Sequence, residues 1–283
     1  MLMIQKTFSS EKNILYLVST PIGNMNDLSF RALEILKKVD FILAEDTRVA
    51  LKILKFYNFK NHLISLHKYN EKERVQKVLN FLKDNKNLAL ISDAGTPLIS
   101  DPGLFLVQSV QIAGFVVTVV PGVSAFLSAF VLSSFDIPFL FLGFFPKKTV
   151  EQKKILLKYR LFESALIFYE SAQRIKKTLT FIYEIYGNRN ISLSRELTKK
   201  FETITNGCLD EILKEELVEK GEYVLVLEGN KDVDLYKDLS LEEHITFFME
   251  RGYTEKEAFR KVAKDKKISK KIIYNKFKIQ QND

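Results

Sequence analysis

The sequence predicts an α/β protein: two α/β domains followed by a small helical appendage. Three observations carry that expectation. Short apolar runs of strand length alternate with amphipathic helical patterns over most of the 283 residues. Turns rich in Gly and Pro come directly after several of those runs. From Asp232 onward the apolar runs stop and only helical patterns remain. These changes place the α/β domains at 1–143 and 144–230 and the appendage at 231–283.

Ile14–Val18 reads as the first strand and ends in the turn Pro21-Ile22-Gly23-Asn24. Asn26 or Asp27 then caps a helix with Phe30, Leu33 and Leu36 on one face. Phe41–Ala44 is the next strand, Val49–Tyr57 a helix and Leu63–Leu66 a short strand. Arg74–Leu82 is helical, with Val75, Val78, Leu79 and Leu82 at neighbouring positions of one face. Leu88–Ser92 and Phe115–Val120 are strands flanking a helix near Leu104–Ala113. Such alternation favours a mostly parallel sheet covered on both faces.

Phe139–Leu142 closes the first domain, and Gly143–Lys148 (GFFPKK) suits a linker. In the second domain Ala165–Tyr169, Ile191–Ser194 and Tyr223–Glu228 are strands and Ile175–Tyr186 a helix. Leu197–Ile204 is a further candidate strand, ended by Gly207. Leu241–Met249, Glu255–Lys264 and Ser269–Phe277 read as short amphipathic helices joined at Gly252 and Asp265–Lys267.

A hydrophobic share of 46% with 28% charged residues is that of a soluble globular protein with a sizeable core. No apolar run approaches the roughly 20 residues needed to span a bilayer. Lys6, Glu11 and Lys12 lie around a polar stretch, so no secretory signal is visible. Cys208 is the only cysteine, which excludes an internal disulfide or a cysteine metal cage and points to a reducing, cytoplasmic setting. Net charge is +8, and Arg251–Asp283 holds eleven Lys or Arg against four Asp or Glu. A basic segment on a nearly neutral body suits a polyanionic partner, RNA more readily than a membrane; solvated lysine is the plain alternative.

Several common sites are absent. No two glycines stand two apart, so the G-x-G-x-x-G fingerprint is missing, and no phosphate-binding G-x-x-x-x-G-K-[ST] occurs. His62, His67 and His244 show no metal-ligand spacing, and no metal is expected. The strands lead instead into Ser19–Asn24 (STPIGN), Ala44–Arg48 (AEDTR), Asp93–Gly103 (DAGTPLISDPG) and Pro121–Ala125 (PGVSA). Ligands of α/β sheets sit beyond the carboxyl ends of strands. Glycines there let backbone approach a ligand, and prolines fix the loop beforehand. Taken singly each is an ordinary turn: Glu45-Asp46 beside Arg48 is most simply an ion pair, and Ser124 most simply a helix cap.

Taken together and in order, these stretches resemble the tetrapyrrole-methylase superfamily, and within it the branch that methylates ribose 2′-oxygens of small-subunit ribosomal RNA. Gly143–Lys147 (GFFPK), Phe168–Arg174 (FYESAQR) and Arg195–Glu202 (RELTKKFE) extend the likeness, which runs from Leu15 to about Gly229. The chain departs from the usual pattern at Val123, Tyr69 and Gln173, where Pro, His and His are usual. The resemblance implies two α/β domains with S-adenosylmethionine in the cleft between them, without a G-x-G loop. It sets the cofactor against Ile22 and Gly23, the loop Asp93, Ala94, Gly95, Thr96 and Pro97, then Ser124 and Ala125, and Phe168, Tyr169 and Glu170. It further implies 2′-O-methylation of a cytidine in 16S rRNA on the small ribosomal subunit, and a homodimer.

A sulfonium cation is attracted to carboxylates and aromatic faces, and Asp93, Tyr169 and Glu170 offer both. A ribose hydroxyl needs a base or acceptor within hydrogen-bond reach and in-line alignment with the methyl group. The run Glu45, Asp46 and Arg48 is the candidate catalytic centre, with Asp101 and Glu196 as further carboxylates. Arg48, Arg195, Lys199 and Lys200 are candidate phosphate contacts. Two other readings share the pattern: a tetrapyrrole-precursor methyltransferase, or a non-catalytic RNA-binding assembly factor.

Overall fold

The computed structural model describes residues 4–7, 13–231 and 239–279. Glu11, Lys12 and two stretches of the expected appendage, 232–238 and 280–283, lie outside the described residues. The chain divides into two compact units: Met1–Leu157 with Ser164–Glu228, and Lys158–Glu163 with Gly229–Asp283.

The first unit holds two five-stranded sheets. β1 (Ile14–Val18), β2 (Phe41–Ala44), β3 (His62–Ser65), β4 (Leu88–Ile91) and β5 (Val116–Val120) form the first, in the order β3-β2-β4-β1-β5 and parallel throughout. Its strands bury both faces by simple alternation. Leu88 and Leu90 meet Val78 and Leu82 of α3 (Glu71–Lys83) and Leu106 and Val110 of α4 (Leu104–Ile112). Ala89 and Ile91 face Leu36 of α1 (Phe30–Lys38) and Ile53 and Leu54 of α2 (Thr47–Phe56).

α1 corrects one sequence expectation. Its cap is Ser29, whose Oγ accepts from the Ala32 amide at 3.1 Å, rather than Asn26 or Asp27. The buried face is then Ala32 and Leu36, while Phe30, in the first turn, is 92% exposed.

The second sheet runs β6-β7-β10-β8-β9, with β6 (Phe139–Phe144), β7 (Ala165–Ser171), β8 (Asn190–Arg195), β9 (Thr203–Cys208) and β10 (Glu222–Leu227). Only β6 and β7 are parallel; the other pairs are antiparallel. Phe139–Leu142 therefore belongs to the second sheet, and Gly143-Phe144 is strand rather than linker. The crossing comes earlier, because α5 (Ala125–Ser133), directly after β5, packs Ala129 and Phe130 on Ala165, Ile167, Val224 and Val226. The candidate strand at Leu197–Ile204 is also displaced. Glu196 and Thr198 take left-handed backbone (φ 51° and 64°), which makes that stretch a turn and delays β9 to Thr203, with Gly207 inside it. α6 (Thr149–Tyr159), α7 (Ile175–Tyr186) and the short α8 (Leu209–Ile212) complete this half.

The second unit carries α9 (Leu241–Met249), α10 (Glu255–Asp265) and α11 (Lys270–Ile279). Ile245, Phe248, Ala258, Phe259, Val262 and Ile273 form its core. Ser240 and Thr254 open the first two helices with capping boxes to Glu243 and Glu257. Among the described residues no helix is long and apolar enough to cross a membrane.

Candidate active site

The carboxyl ends of β1, β2, β4 and β5 are stitched to one another. Thr20 and Gly95 exchange backbone hydrogen bonds of 2.8 and 3.0 Å, and the Thr20 hydroxyl donates to the Ser92 carbonyl at 3.0 Å. Ser19 and Thr96 share a hydroxyl bond of 3.1 Å, and Thr96 Oγ1 reaches the Val123 carbonyl at 3.3 Å. The Asp46 amide donates to Asp93 Oδ1 at 3.1 Å. Buried Ser19, Thr20 and Ser92 are thereby satisfied, and four loops become one platform.

That platform forms one wall of a cleft of about 970 Å³ whose other wall is the second sheet. Pockets for small ligands run to roughly 1,000 Å³, so the cleft has room for a folded cofactor and part of a second substrate. From the expected cofactor set, Ile22, Asp93, Ala94, Gly95 and Thr96 line it, as do Ser124, Ala125, Tyr169 and Glu170. The remaining three do not. Pro97 is buried beneath the loop. Phe168 points into the second core, edge-on to Phe145 at 5.2 Å. Gly23 abuts the 197–199 turn so closely that a Cβ there would lie 2.5 Å from Lys199 Cγ.

Glu170 lines the cleft, but its oxygens are engaged. Oε2 accepts from Thr178 at 2.6 Å and pairs with Arg174 at 3.2 Å, and Oε1 accepts from the Ser171 amide. It is a structural carboxylate, which leaves Asp93 and Tyr169 as the cleft-lining members of the expected cation-attracting set. Sequence reasoning missed Ser194. It is fully buried on the cleft wall, and its Oγ has no hydrogen-bond partner among the described residues. An orphaned hydroxyl and glycine-cleared loops fit a cofactor with polar ends. The signal was present: Ser192 and Ser194 alternate with apolar residues in a strand buried on both faces.

The run Glu45, Asp46 and Arg48 separates into two roles. Asp46 caps α2, accepting from the Arg48 amide at 2.8 Å, and its carboxylate forks onto the Arg48 guanidinium at 2.6 to 3.1 Å. Those bonds hold Asp46 down to about 2, and the pair is a cap and an ion pair. Glu45 behaves oppositely: burial and the neighbouring Asp93 carboxylate push it above its ordinary value. Asp101, on the cleft wall, is pushed up to about 6 by burial and by Glu45 and Asp93. Asp93 and Asp101 thus make an acidic patch in the cleft that Tyr169 also lines, with Glu45 adding its charge from outside the lining. Burial holds the Tyr169 phenol above its usual range.

Of the other candidates, Glu196, Lys199 and Arg195 are committed elsewhere. Lys199 holds Glu196 at 2.9 Å and Glu222 at 3.1 Å, which keeps Glu196 below the usual carboxylate range despite its burial. Arg195 donates to the Lys220 and Phe201 carbonyls, and Lys200 is exposed over the Phe201 ring.

The model of the tetrapyrrole (corrin/porphyrin) methylases matches residues 14–213, most of the chain. The chain belongs to that family. A ribosomal RNA small subunit methyltransferase I of Bacillus subtilis is 40% identical, over 99% of this chain and all of that relative. One of Mycoplasmopsis pulmonis is 45% identical over 75% of this chain and 96% of its own length. Among solved structures, a diphthine synthase covers 76% of this chain and 89% of its own at a TM-score of 0.62, with 11% identity. A cobalt precorrin-4 methyltransferase covers 76% and 95% at 0.55, with 16% identity. These two share the fold. The protein is a methyltransferase of the small-subunit ribosomal RNA branch, and its cofactor is S-adenosylmethionine.

Proposed function

We propose that this methylase transfers a methyl group to the ribose 2′-oxygen of a cytidine in 16S rRNA of the small ribosomal subunit. The observation that carries this reading is the acidic pocket: a cleft-facing Asp101 with a value of about 6, backed by Glu45 and Asp93. A sugar hydroxyl is a poor nucleophile and needs such an acceptor, which works best when its pKa lies near the operating pH. The names of the relatives support rRNA as the substrate.

S-adenosylmethionine supplies a methyl carbon already activated by its sulfonium. The protein has then to hold two ligands in line and to take up one proton. Asp93, Tyr169 and Ser194, with the loop that turns at Gly95, would hold the cofactor; Asp101 accepts the hydroxyl proton. Mapping ribose methylation across 16S rRNA with and without the protein tests the reading. A single cytidine should lose its 2′-O-methyl mark without the protein, and an unchanged map would refute it.

The enzyme acts as a homodimer in this reading. α5 is apolar all round; one side lies on the second sheet, while Leu127 and Val131, one turn apart, remain 47% and 70% exposed. A helix of that kind is ordinarily covered on both sides. Val131→Lys should convert a dimer to a monomer in sedimentation equilibrium, and a wild type that sediments as a monomer rules the dimer out.

A further inference from the structure

Phe144 is 66% exposed although it lies in a strand and on the wall of the cleft. Its direction is set by the backbone. β6 pairs with β7 residue for residue from Phe139–Ala165 to Phe141–Ile167, but the next matched pair is Phe144 with Tyr169. β6 therefore carries one extra residue, a bulge. Without it, alternation would set Gly143 beside Tyr169 and turn Phe144 to the opposite face. With it, Phe144 returns to the face of Phe141 and Tyr169, and its ring stands edge-on to Tyr169 with centroids 5.4 Å apart. Gly143 takes φ +72°, a conformation that favours glycine.

The mount is rigid. Phe145 is buried, and its amide donates to the Tyr169 carbonyl at 2.9 Å. Arg174, itself paired with Glu170, donates to the Pro146 carbonyl at 2.6 Å, and Gln152 Nε2 reaches the same oxygen at 2.7 Å. The strand thus uses a bulge and a left-handed glycine to hold an aromatic ring in water, against the tendency to bury it. Lys147, on the same wall, makes no ion pair among the described residues. Asp101 lines the same cleft as Phe144 and Tyr169. A Cβ on Gly143 would lie 3.4 Å from Ser100 Oγ, so the loop that carries Asp101 comes up beside the bulge.

We propose that Phe144 is the platform on which the base of the target nucleotide stacks, with Lys147 meeting an adjoining phosphate. This rests on the RNA reading above. Proteins that read unpaired RNA stack splayed-out bases on aromatic side chains. A base fixed on Phe144 delivers its sugar to the side of the cleft that holds Asp101.

The chain contains no Trp, so Phe144→Trp places a single indole at the site. Its emission should be quenched, saturably, by a single-stranded oligocytidylate and left unchanged by S-adenosylhomocysteine. Phe144→Ala should lower kcat/KM for 16S rRNA in unmodified small subunits by roughly 5- to 150-fold, the loss of one base–aromatic stack. Its S-adenosylhomocysteine affinity, by calorimetry, should be unchanged, and Phe144→Tyr should restore most of the activity. Emission that answers to S-adenosylhomocysteine and not to RNA would put the cofactor's adenine on the ring and overturn the proposal. Full activity in Phe144→Ala would overturn the platform alone. A wild type that leaves 16S rRNA unmethylated would overturn the function and the platform with it.

Discussion

At the scale of single residues, adjacent carboxylates in one run do opposite work. Asp46 lies at a helix start and beside a guanidinium, and both hold it ionised to about 2. That makes it a weak base. Glu45 is raised by burial and the Asp93 charge, and Asp101 by burial and the charges of Glu45 and Asp93, to about 6. Because the Glu45 charge helps to raise Asp101, the observed titration belongs to the pair. The stability consequence has a definite sign. Between its ordinary 3.8 and about 6 the folded chain keeps a proton on Asp101 that the unfolded chain has lost. That group therefore favours folding at low pH and loses its contribution as pH rises through this window. The rate should run the other way, since only ionised Asp101 accepts a proton. Single-turnover methyl transfer should rise with pH through an apparent value near 6. Glu45→Gln removes one of the charges that raise Asp101, so that limb should move to lower pH. Asp101→Asn should abolish the limb and cost about 100-fold or more in rate, with cofactor affinity intact. Identical pH profiles in wild type and both variants would remove the acidic pocket from the chemistry.

At the scale of elements, the Asp93–Gly103 loop shows why glycine stands where it does. Gly95 has φ +81°, and its amide and carbonyl are both bonded to Thr20. A Cβ there would sit 3.4 Å from Ile22 Cγ2, a tight approach but one that can give. The larger obstacle is the left-handed backbone, worst for a β-branched residue. Gly95→Val should therefore abolish S-adenosylmethionine binding by calorimetry while the fold persists. Gly114→Val is the control, with φ +82° and open space around it, and should lose stability without losing the cofactor. Near-wild-type affinity in a folded Gly95→Val would move the cofactor away from this loop. The same loop marks what the sequence could and could not reveal. The first sheet was legible because its strands, buried on both faces, are nearly continuous apolar runs. In the sequence β6 ends at Leu142 because Gly143 reads as a break, whereas in the fold Gly143 lies in the bulge that aims Phe144. β9 begins later than its apolar pattern predicts because nothing local announces left-handed Glu196 and Thr198. Which carboxylate of the AEDTR run raises Asp101 depends on where the loop that carries Asp93 and Asp101 comes to rest, a tertiary fact.

At the scale of the molecule, charge is unevenly shared. Arg251–Asp283 carries eleven Lys or Arg against four Asp or Glu, out of a net +8. The structure adds that this charge sits on a packed helical unit. Phe248 of α9, Phe259 and Val262 of α10 and Ile273 of α11 share one core. Truncation within the unit would expose that core, so a test of its role has to change charge and leave packing alone. Lys256, Lys267 and Lys271 are exposed and outside that core. If the unit neutralises RNA phosphates, binding releases condensed counterions, and log affinity falls linearly with log salt concentration. Removing one lysine–phosphate pair should flatten that slope by roughly 0.7 to 0.9. Replacing all three lysines with Gln should thus flatten it by about 2 to 3 and weaken small-subunit binding most at low salt. S-adenosylmethionine affinity, set in the other unit, should not change. A slope equal to that of the wild type would mean that these lysines only solvate the surface, and RNA affinity would then have to come from the cleft and its rim.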